Sequence, residues 1–357
     1  MAGVSPLEFH FQRGGVELLP LGEASVPRHF GDPIAEHRAT REACGLFDFS
    51  FMGLWEIGGP GAAAHVARLQ TRDLSAFEPG RVAYTLLLRP DGSVFIDATV
   101  WVHAPDRFWV FTGRRADDAW VRADAARFGS RVQALHGSQA VLAMQGPRSG
   151  EWLARVAGAD AVRALRYFRF APMRVGGEAA VVGRLGFSGE LGYEVLVAAD
   201  RAPETWSLLL EAGRPFGAQA CGFIATDSLR IECASILFSH ELAKPRLPAE
   251  LGMRHFVTAP EGTPCGAAAA RRPGESRLVC VEIDDVPALP AMTMMQITSE
   301  SLSPTYGCRL GLGFAPTAAS GPGAWLRDAR GRRLRVLAGS RHDPARLRVK
   351  AEPLPPA

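Results

Sequence analysis

The period of apolar and polar positions changes several times along the chain. LWEIGG (54–59) reads as a strand and AAAHVARLQ (62–70) as a short helix entered through Pro60. In RVAYTLLLRPDGSVFIDATVWV (81–102), two β-rich runs flank Asp91-Gly92. That pair tolerates positive φ and predicts a tight hairpin. DRFWVFTG (106–113) continues the meander. Helical spacing follows over 116–128 and 147–157, where Trp152, Leu153 and Val156 share a face. A second β-rich block covers 173–198, followed by predicted helices near 203–213 and 222–233.

From about residue 258 the texture changes. TAPEGTPCGAAAARRPGES reads as a boundary loop. Beyond it RLVCVEI, MMQITSE, RLGLGFA and AWLRDARGRRLRVLAG predict a small antiparallel β domain. Neither half shows the strand-helix alternation of a doubly wound sheet. The expected class is therefore α+β, with one region over 1–258 and a C-terminal domain over 275–350.

Composition narrows the function classes. With 47 % hydrophobic and 22 % charged residues in 357, the chain has material for folded cores. A net charge of +3 is too mild to point to nucleic acid or an anionic membrane. Six cysteines without a CxxC pair predict neither a disulfide framework nor a thiolate zinc site, and no metal is expected. MAGVSPLEFHFQRGG has no apolar core, and no apolar run approaches the ~18 residues of a membrane span. The expectation is a reduced, cytoplasmic protein.

Three segments are candidates for chemistry. On the strand after Asp91-Gly92, Val94, Ile96, Ala98, Val100 and Val102 fall on one face, and Phe95, Asp97, Thr99 and Trp101 on the other. A carboxylate between aromatic side chains predicts a pocket for a flat, partly cationic ligand. A salt-bridged Asp on a wet sheet fits the strand taken alone. In GFSGELGYEVLV (186–197), Gly186, Gly189 and Gly192 permit a turn with backbone close to a ligand. Glu190 lies in that turn, and Glu194 interrupts the run Tyr193, Val195, Val197. A carboxylate accepts two parallel N–H bonds from an amidine-like edge, as in a pterin or guanine. An ordinary hairpin with an exposed Glu fits the same residues.

In GFIATDSLRIECASILFSHEL (222–242), Ala225, Leu229 and Cys233 share a helix face, and Asp227 and Glu232 are placed to neutralise arginines. Gly59-Pro60-Gly61-Ala62-Ala63-Ala64 meets a loose dinucleotide pattern, but Pro60 removes an N–H from the turn that would cradle pyrophosphate.

Taken in order, these segments resemble the folate-binding aminomethyltransferase family, the T-protein of the glycine cleavage system and its relatives. The resemblance runs through ACGLFDFSFMG (43–53), LQTRDLSAFEPGRVAYTLLLRPDGSVFIDATV, AMQGPRSGEWL, RLGFSGELGYEV, CGFIATDSLRIECASILFSHEL and QITSESLSPTYGCRLGLGFA. It implies two α+β subdomains and a C-terminal antiparallel β-barrel around a central folate pocket. Asp97 matches the family's functional aspartate, with Ile96 in place of the acid before it. Glu194 matches the glutamate that binds the pterin edge. Tyr84 and Met52 match residues lining the folate pocket, and Phe187 stands where many members have Tyr. Thr112 and Trp101 are added as expected lining residues.

Thr226, Thr112-Gly113 and Phe51 depart from the glycine-cleavage pattern. Thr226 and Thr112-Gly113 look more like the sarcosine and dimethylglycine dehydrogenase C-terminal relatives and the folate-dependent demethylases. The KGCYxGQE motif of the iron-sulfur-associated branch is missing near 241–256.

The implied activity is transfer of a methyl or methylene group from a small donor, such as a methylated amine, to tetrahydrofolate as co-substrate. Asp97 would be catalytic and Glu194 would anchor the pterin. The alternatives are a non-catalytic folate-binding regulator, or an acceptor subunit working with a separate flavin dehydrogenase or carrier protein. No flavin-binding segment is read in this chain.

Overall fold

The computed structural model describes residues 5–260 and 266–354. The predicted meander is part of a five-stranded antiparallel sheet in the spatial order Arg81–Leu88, Val94–Ala104, Arg107–Thr112, Gly53–Gly58, Arg131–Ala134. Its first turn occupies 89–93. The Asp91 carboxylate accepts from the Ser93 N–H (2.9 Å) and hydroxyl (2.7 Å), and Gly92 takes φ +86°. A Cβ at 92 would also meet the Ala270 nitrogen at 2.5 Å, so glycine is required twice over.

The period-two reading of Val94–Ala104 holds from Ile96 to Val102; at the start a register shift at Phe95 pairs Leu88 with Val94 and places Val94 in the cluster of Leu86 and Leu88. Val94, Ile96, Ala98, Val100 and Val102 are all buried. Most of them join Val66 and Leu69 of the Ala62–Leu69 helix in one cluster. Fully burying such a side chain contributes about 1.5–3 kcal/mol, which sets which way this strand faces.

A second sheet of six strands runs Phe170–Val175, Glu178–Gly183, Gly192–Ala198, Gln139–Gln145, Cys44–Asp48, Ala218–Ala220. Only its last pair is parallel. The helices Ser149–Ala157 and Ala202–Gly213 pack in its core through Trp152, Leu153, Trp206 and Leu209. The Trp152 indole N–H donates to the Leu209 carbonyl (2.9 Å). Val156 is only half-buried.

The C-terminal strands form a third, antiparallel sheet: Gln296–Ser303, Cys308–Pro316, Ser276–Pro287, Arg332–Val336, Trp325–Arg327. Just before Gln296 the Met295 N–H donates to the Arg327 carbonyl (2.8 Å), and the Arg327 N–H to the Thr293 carbonyl (3.0 Å). Those bonds join the two edges and close a small barrel.

One expectation changes, and the dinucleotide pattern, already discounted for Pro60, meets a second obstacle. The helix predicted over 116–128 is broken: Asp118–Arg122 and Ala125–Phe128 are separated by Asp124 at φ +64°. After this break the Phe128 carbonyl sits so close to Gly61 that a Cβ there would come within 1.6 Å of it. The glycine of the dinucleotide-like turn thus makes room for the chain's own backbone, and the sheet around it is antiparallel. The dinucleotide reading is set aside.

Candidate active site

The face of Val94–Ala104 that carries Asp97 is covered differently along its length. Trp101 is fully buried, with the Phe111 and Phe170 rings each 5.0 Å away. It lies under Gly183 of the neighbouring sheet, where a Cβ would come within 2.3 Å of the indole. Its N–H donates to Thr99 Oγ1 (3.1 Å). Phe95, on the other side of Asp97, stacks on Trp120 at 4.1 Å beneath the Arg114 guanidinium. Both rings are occupied by protein contacts, so the expectation that Trp101 lines the pocket is corrected. The cause is the second sheet, which seals that end of the strand.

The surroundings of Asp97 come instead from separate stretches. Phe49, Phe51 and Met52, then Phe111, Thr112 and Gly113, and finally Ile236, Leu237 and Phe238 line a cavity of about 180 Å³ with Tyr84, Asp97 and Glu194. The two acids picked out of distant segments therefore share one cavity. Tyr84, Met52 and Thr112 are among its lining residues. The Tyr84 hydroxyl donates to Asp97 Oδ2 (2.9 Å), across a register that pairs Tyr84 with Thr99 and Leu86 with Asp97. The Thr112 hydroxyl lies within reach of the Arg114 carbonyl (2.9 Å) and the Asp117 carboxylate (2.7 Å).

Phe187 is displaced from its expected place. It lines an adjoining cavity of about 280 Å³. Its ring packs 4.7 Å from that of Phe49, so it braces the wall from behind.

Ile96, at the position of the family's first acid, points to the opposite face and is fully buried. Thr226 also stands outside the cavity, with its hydroxyl donating to the Gly222 carbonyl (3.2 Å).

Electrostatically the two acids differ from surface carboxylates. Glu194 is 8 % exposed, and no hydrogen bond or ion pair to it is found among the described residues. Burial alone pushes its carboxyl up to about 7. Asp97 is also raised. Burial is the main cause, the charges of Asp117 and Glu241 add to it, and the Tyr84 hydrogen bond opposes it. Burial and the Asp97 charge hold the Tyr84 phenol well above its usual range, so it stays a donor.

Glu190 is not the exposed turn residue of the plainer reading. It is buried and bonded by His342 (2.6 Å), Arg41 (3.2 Å) and Arg348 (3.3 Å). Arg41 also pairs with Glu232 (2.8 Å), which His37 (3.2 Å) and the Ser303 hydroxyl (2.5 Å) complete. Burial drives Glu232 upward, but the His37 hydrogen bond and the Arg41 charge outweigh it and hold the acid at about 2. The reading of Glu232 as a partner for arginine holds. Sequence reasoning missed Arg41, His37 and His342, since their partners lie far along the chain. It also missed Phe49, Phe111 and Ile236–Phe238, which carry no polar signal.

Comparison with known proteins agrees with this architecture. Residues 9–260 match the family described as GCVT N-terminal domain. The aminomethyltransferase of Moorella thermoacetica is 32 % identical over 334 residues, covering 89 % of this chain and 91 % of that protein. The aminomethyltransferase of Symbiobacterium thermophilum is 32 % identical over 351 residues, covering 92 % and 93 %. The crystal structure of glycine cleavage system aminomethyltransferase T from Bartonella henselae has the same fold. It aligns with a TM-score of 0.81 at 21 % identity over 96 % of this chain and 99 % of that one. The chain belongs to the GCVT family, an enzyme family of aminomethyltransferases.

Proposed function

We propose that the chain is a tetrahydrofolate-dependent one-carbon transferase, moving a methyl or methylene group from a small donor to tetrahydrofolate. One observation carries this reading. Glu194 is a buried carboxyl with no hydrogen-bond or ion-pair partner among the described residues, facing the cavity that also holds Asp97. An unpaired buried carboxylate is costly, and the cost is relieved when a ligand supplies donors. The amidine edge of a reduced pterin supplies two parallel N–H groups, which suits a carboxylate. A cavity of about 180 Å³ lies below the ~300–1,000 Å³ of pockets for whole drug-sized ligands, so it suits a ring rather than an entire folate.

Asp97 is the proposed catalytic residue. Ionised, it stabilises positive charge developing on the one-carbon unit and orients the folate amine, while Tyr84 fixes its carboxylate. When the new carbon–nitrogen bond forms, the proton on that folate nitrogen must leave. The raised proton affinity of Asp97 makes it a better acceptor than a surface carboxylate.

We place the donor among methylated amines and similar small molecules. Methylene transfer from a methylated amine requires an oxidant, which a separate flavin dehydrogenase would supply. An aminomethyl group presented by a carrier protein requires none, and the name aminomethyltransferase borne by the relatives favours a carbon carried on nitrogen. Thr112 and Gly113, two departures from the glycine-cleavage pattern, line the cavity. On that ground the chain stands nearer the sarcosine and dimethylglycine dehydrogenase C-terminal relatives and the folate-dependent demethylases.

Phe51, apolar where the pattern has His, favours a second reading, a folate-binding regulator. Calorimetry separates the parts. Glu194→Ala should weaken tetrahydrofolate binding by about 2–3 kcal/mol, the loss of a charge-assisted contact. Asp97→Asn should keep that affinity within about tenfold yet lower transfer about a hundredfold or more. A donor screen over methylated amines and carrier-bound aminomethyl groups, run with a flavin dehydrogenase present, that yields no methyl- or methylene-tetrahydrofolate would leave the regulator.

A further inference from the structure

Two buried side chains that the folate reading does not use meet behind the cavity wall. Arg230, on the Phe223–Glu232 helix, and Glu241 form an ion pair of 2.8 Å. They are 4 % and 1 % exposed. Glu241 Oε2 also accepts from the Leu237 N–H (2.8 Å). Glu241 Oε1 accepts from the hydroxyls of Thr298 (2.7 Å) and Ser299 (2.5 Å), both on the barrel strand Gln296–Ser303. Arg230 completes the arrangement by donating to the Ser235 carbonyl (3.2 Å) and the Ser299 hydroxyl (2.6 Å), and it pairs with Asp227 (2.7 Å).

The loop held this way supplies Ile236, Leu237 and Phe238 to the cavity. It leaves Ala234 at φ +56°, a conformation that costs about 1–3 kcal/mol in a non-glycine residue and persists only where the surroundings impose it. Phe238 in turn presses on Gly113, where a Cβ would come within 2.6 Å of its ring. The wall is therefore fixed from both sides, and one of those sides is anchored in the barrel.

We propose that Glu241 is a positioning residue of the site. Through Arg230 and the Leu237 N–H it fixes the Ile236–Phe238 wall, and through Thr298 and Ser299 it makes the barrel part of the active unit. The inference rests on the folate reading only in that the wall serves that cavity. Electrostatics supports it: the Glu241 charge, with that of Asp117, raises the proton affinity of Asp97. The other groups facing Asp97 are Tyr84, which donates to it, and Glu194 across the same cavity. The nearby cations are Arg114, paired with Asp117 (2.8 Å), and Arg346, whose charge acts on Tyr84.

The test uses the full chain, with tetrahydrofolate as the probe. Glu241→Gln leaves too few acceptors for four donors and removes one charge. Calorimetry should show tetrahydrofolate binding weakened about tenfold. Carbon-13 NMR should show the Asp97 carboxyl titrating at least about half a pH unit lower. The pair Thr298→Val with Ser299→Ala cuts only the barrel contacts and should weaken binding about threefold. A Glu241→Gln protein that melts earlier but binds and titrates like the parent overturns the proposal. If that variant does not fold, unchanged affinity in the Thr298/Ser299 pair overturns it. Failure of the pterin reading is a separate result: Glu194→Gln would then leave affinity unchanged while the Asp97 titration in Glu241→Gln still moves.

Discussion

Glu190 and Glu194 lie four residues apart in one β-rich segment, and both are buried, at 1 % and 8 % exposure. Their fates are opposite. Glu190 is surrounded by Arg41, His342 and Arg348, and its neighbour Glu232 is held at about 2 by the same network. Glu194 faces a cavity, has no partner among the described residues, and sits at about 7. Burial by itself therefore does not mark a functional acid. A buried carboxyl that the protein has already paired is architecture, and one left unpaired beside a cavity is a place for a ligand.

The largest effect should come from the paired side. Arg41→Ala strips a cation from both Glu190 and Glu232, and denaturation should show a loss of about 3–5 kcal/mol. A loss below about 1 kcal/mol would mean that water reaches the cluster and the contrast is false.

At the unpaired acid the sign reverses. The folded-state value of Glu194, about 7, lies above its ordinary 4.5, so ionising it costs the fold stability as pH climbs between those values. Glu194→Gln and its parent should match in stability below that window. Above pH 7 the variant should be the more stable by about 2–3 kcal/mol. Equal unfolding curves at pH 8 would show that the carboxyl is hydrated or paired after all.

A smaller effect belongs to ligand binding. The pterin edge needs the ionised carboxylate, so tetrahydrofolate affinity should rise about tenfold between pH 6 and the plateau above 7. The rise should be absent in Glu194→Gln, and calorimetry across that range checks it. The smallest effect is expected at Phe187, which braces the wall from the adjoining cavity. Phe187→Leu should change tetrahydrofolate affinity by less than about threefold. A larger loss would move that ring back into the ligand's reach.

Much of the local structure was legible in the residues. Asp91-Gly92 announced the turn because the Asx bonds and the positive φ are local requirements. The apolar side from Ile96 to Val102 was legible because alternation is a property of the strand itself; the register shift at Phe95 that takes Val94 out of it was not. What covers the other side was not. Trp101 and Asp97 share that side, yet one is sealed under Gly183 of another sheet and the other opens to a cavity. Period two states which way a side chain points and is silent about what it meets. Glu190 and Glu194 were likewise indistinguishable as residues, since the cations that claim Glu190 come from positions 41, 342 and 348.

The amino-acid order alone determined the α+β class, the meander and the β-rich C-terminal region, because these depend on neighbours along the chain; Asp97 and Glu194 were singled out only by the family resemblance of the ordered segments. Tertiary structure alone decided which buried acid is paired, which aromatics line the cavity, and that the barrel reaches the wall through Glu241. Those outcomes turn on desolvation and on contacts between segments more than 150 residues apart, such as Glu190 with His342 and Arg41 with Glu232. Only the folded arrangement sets where such groups meet.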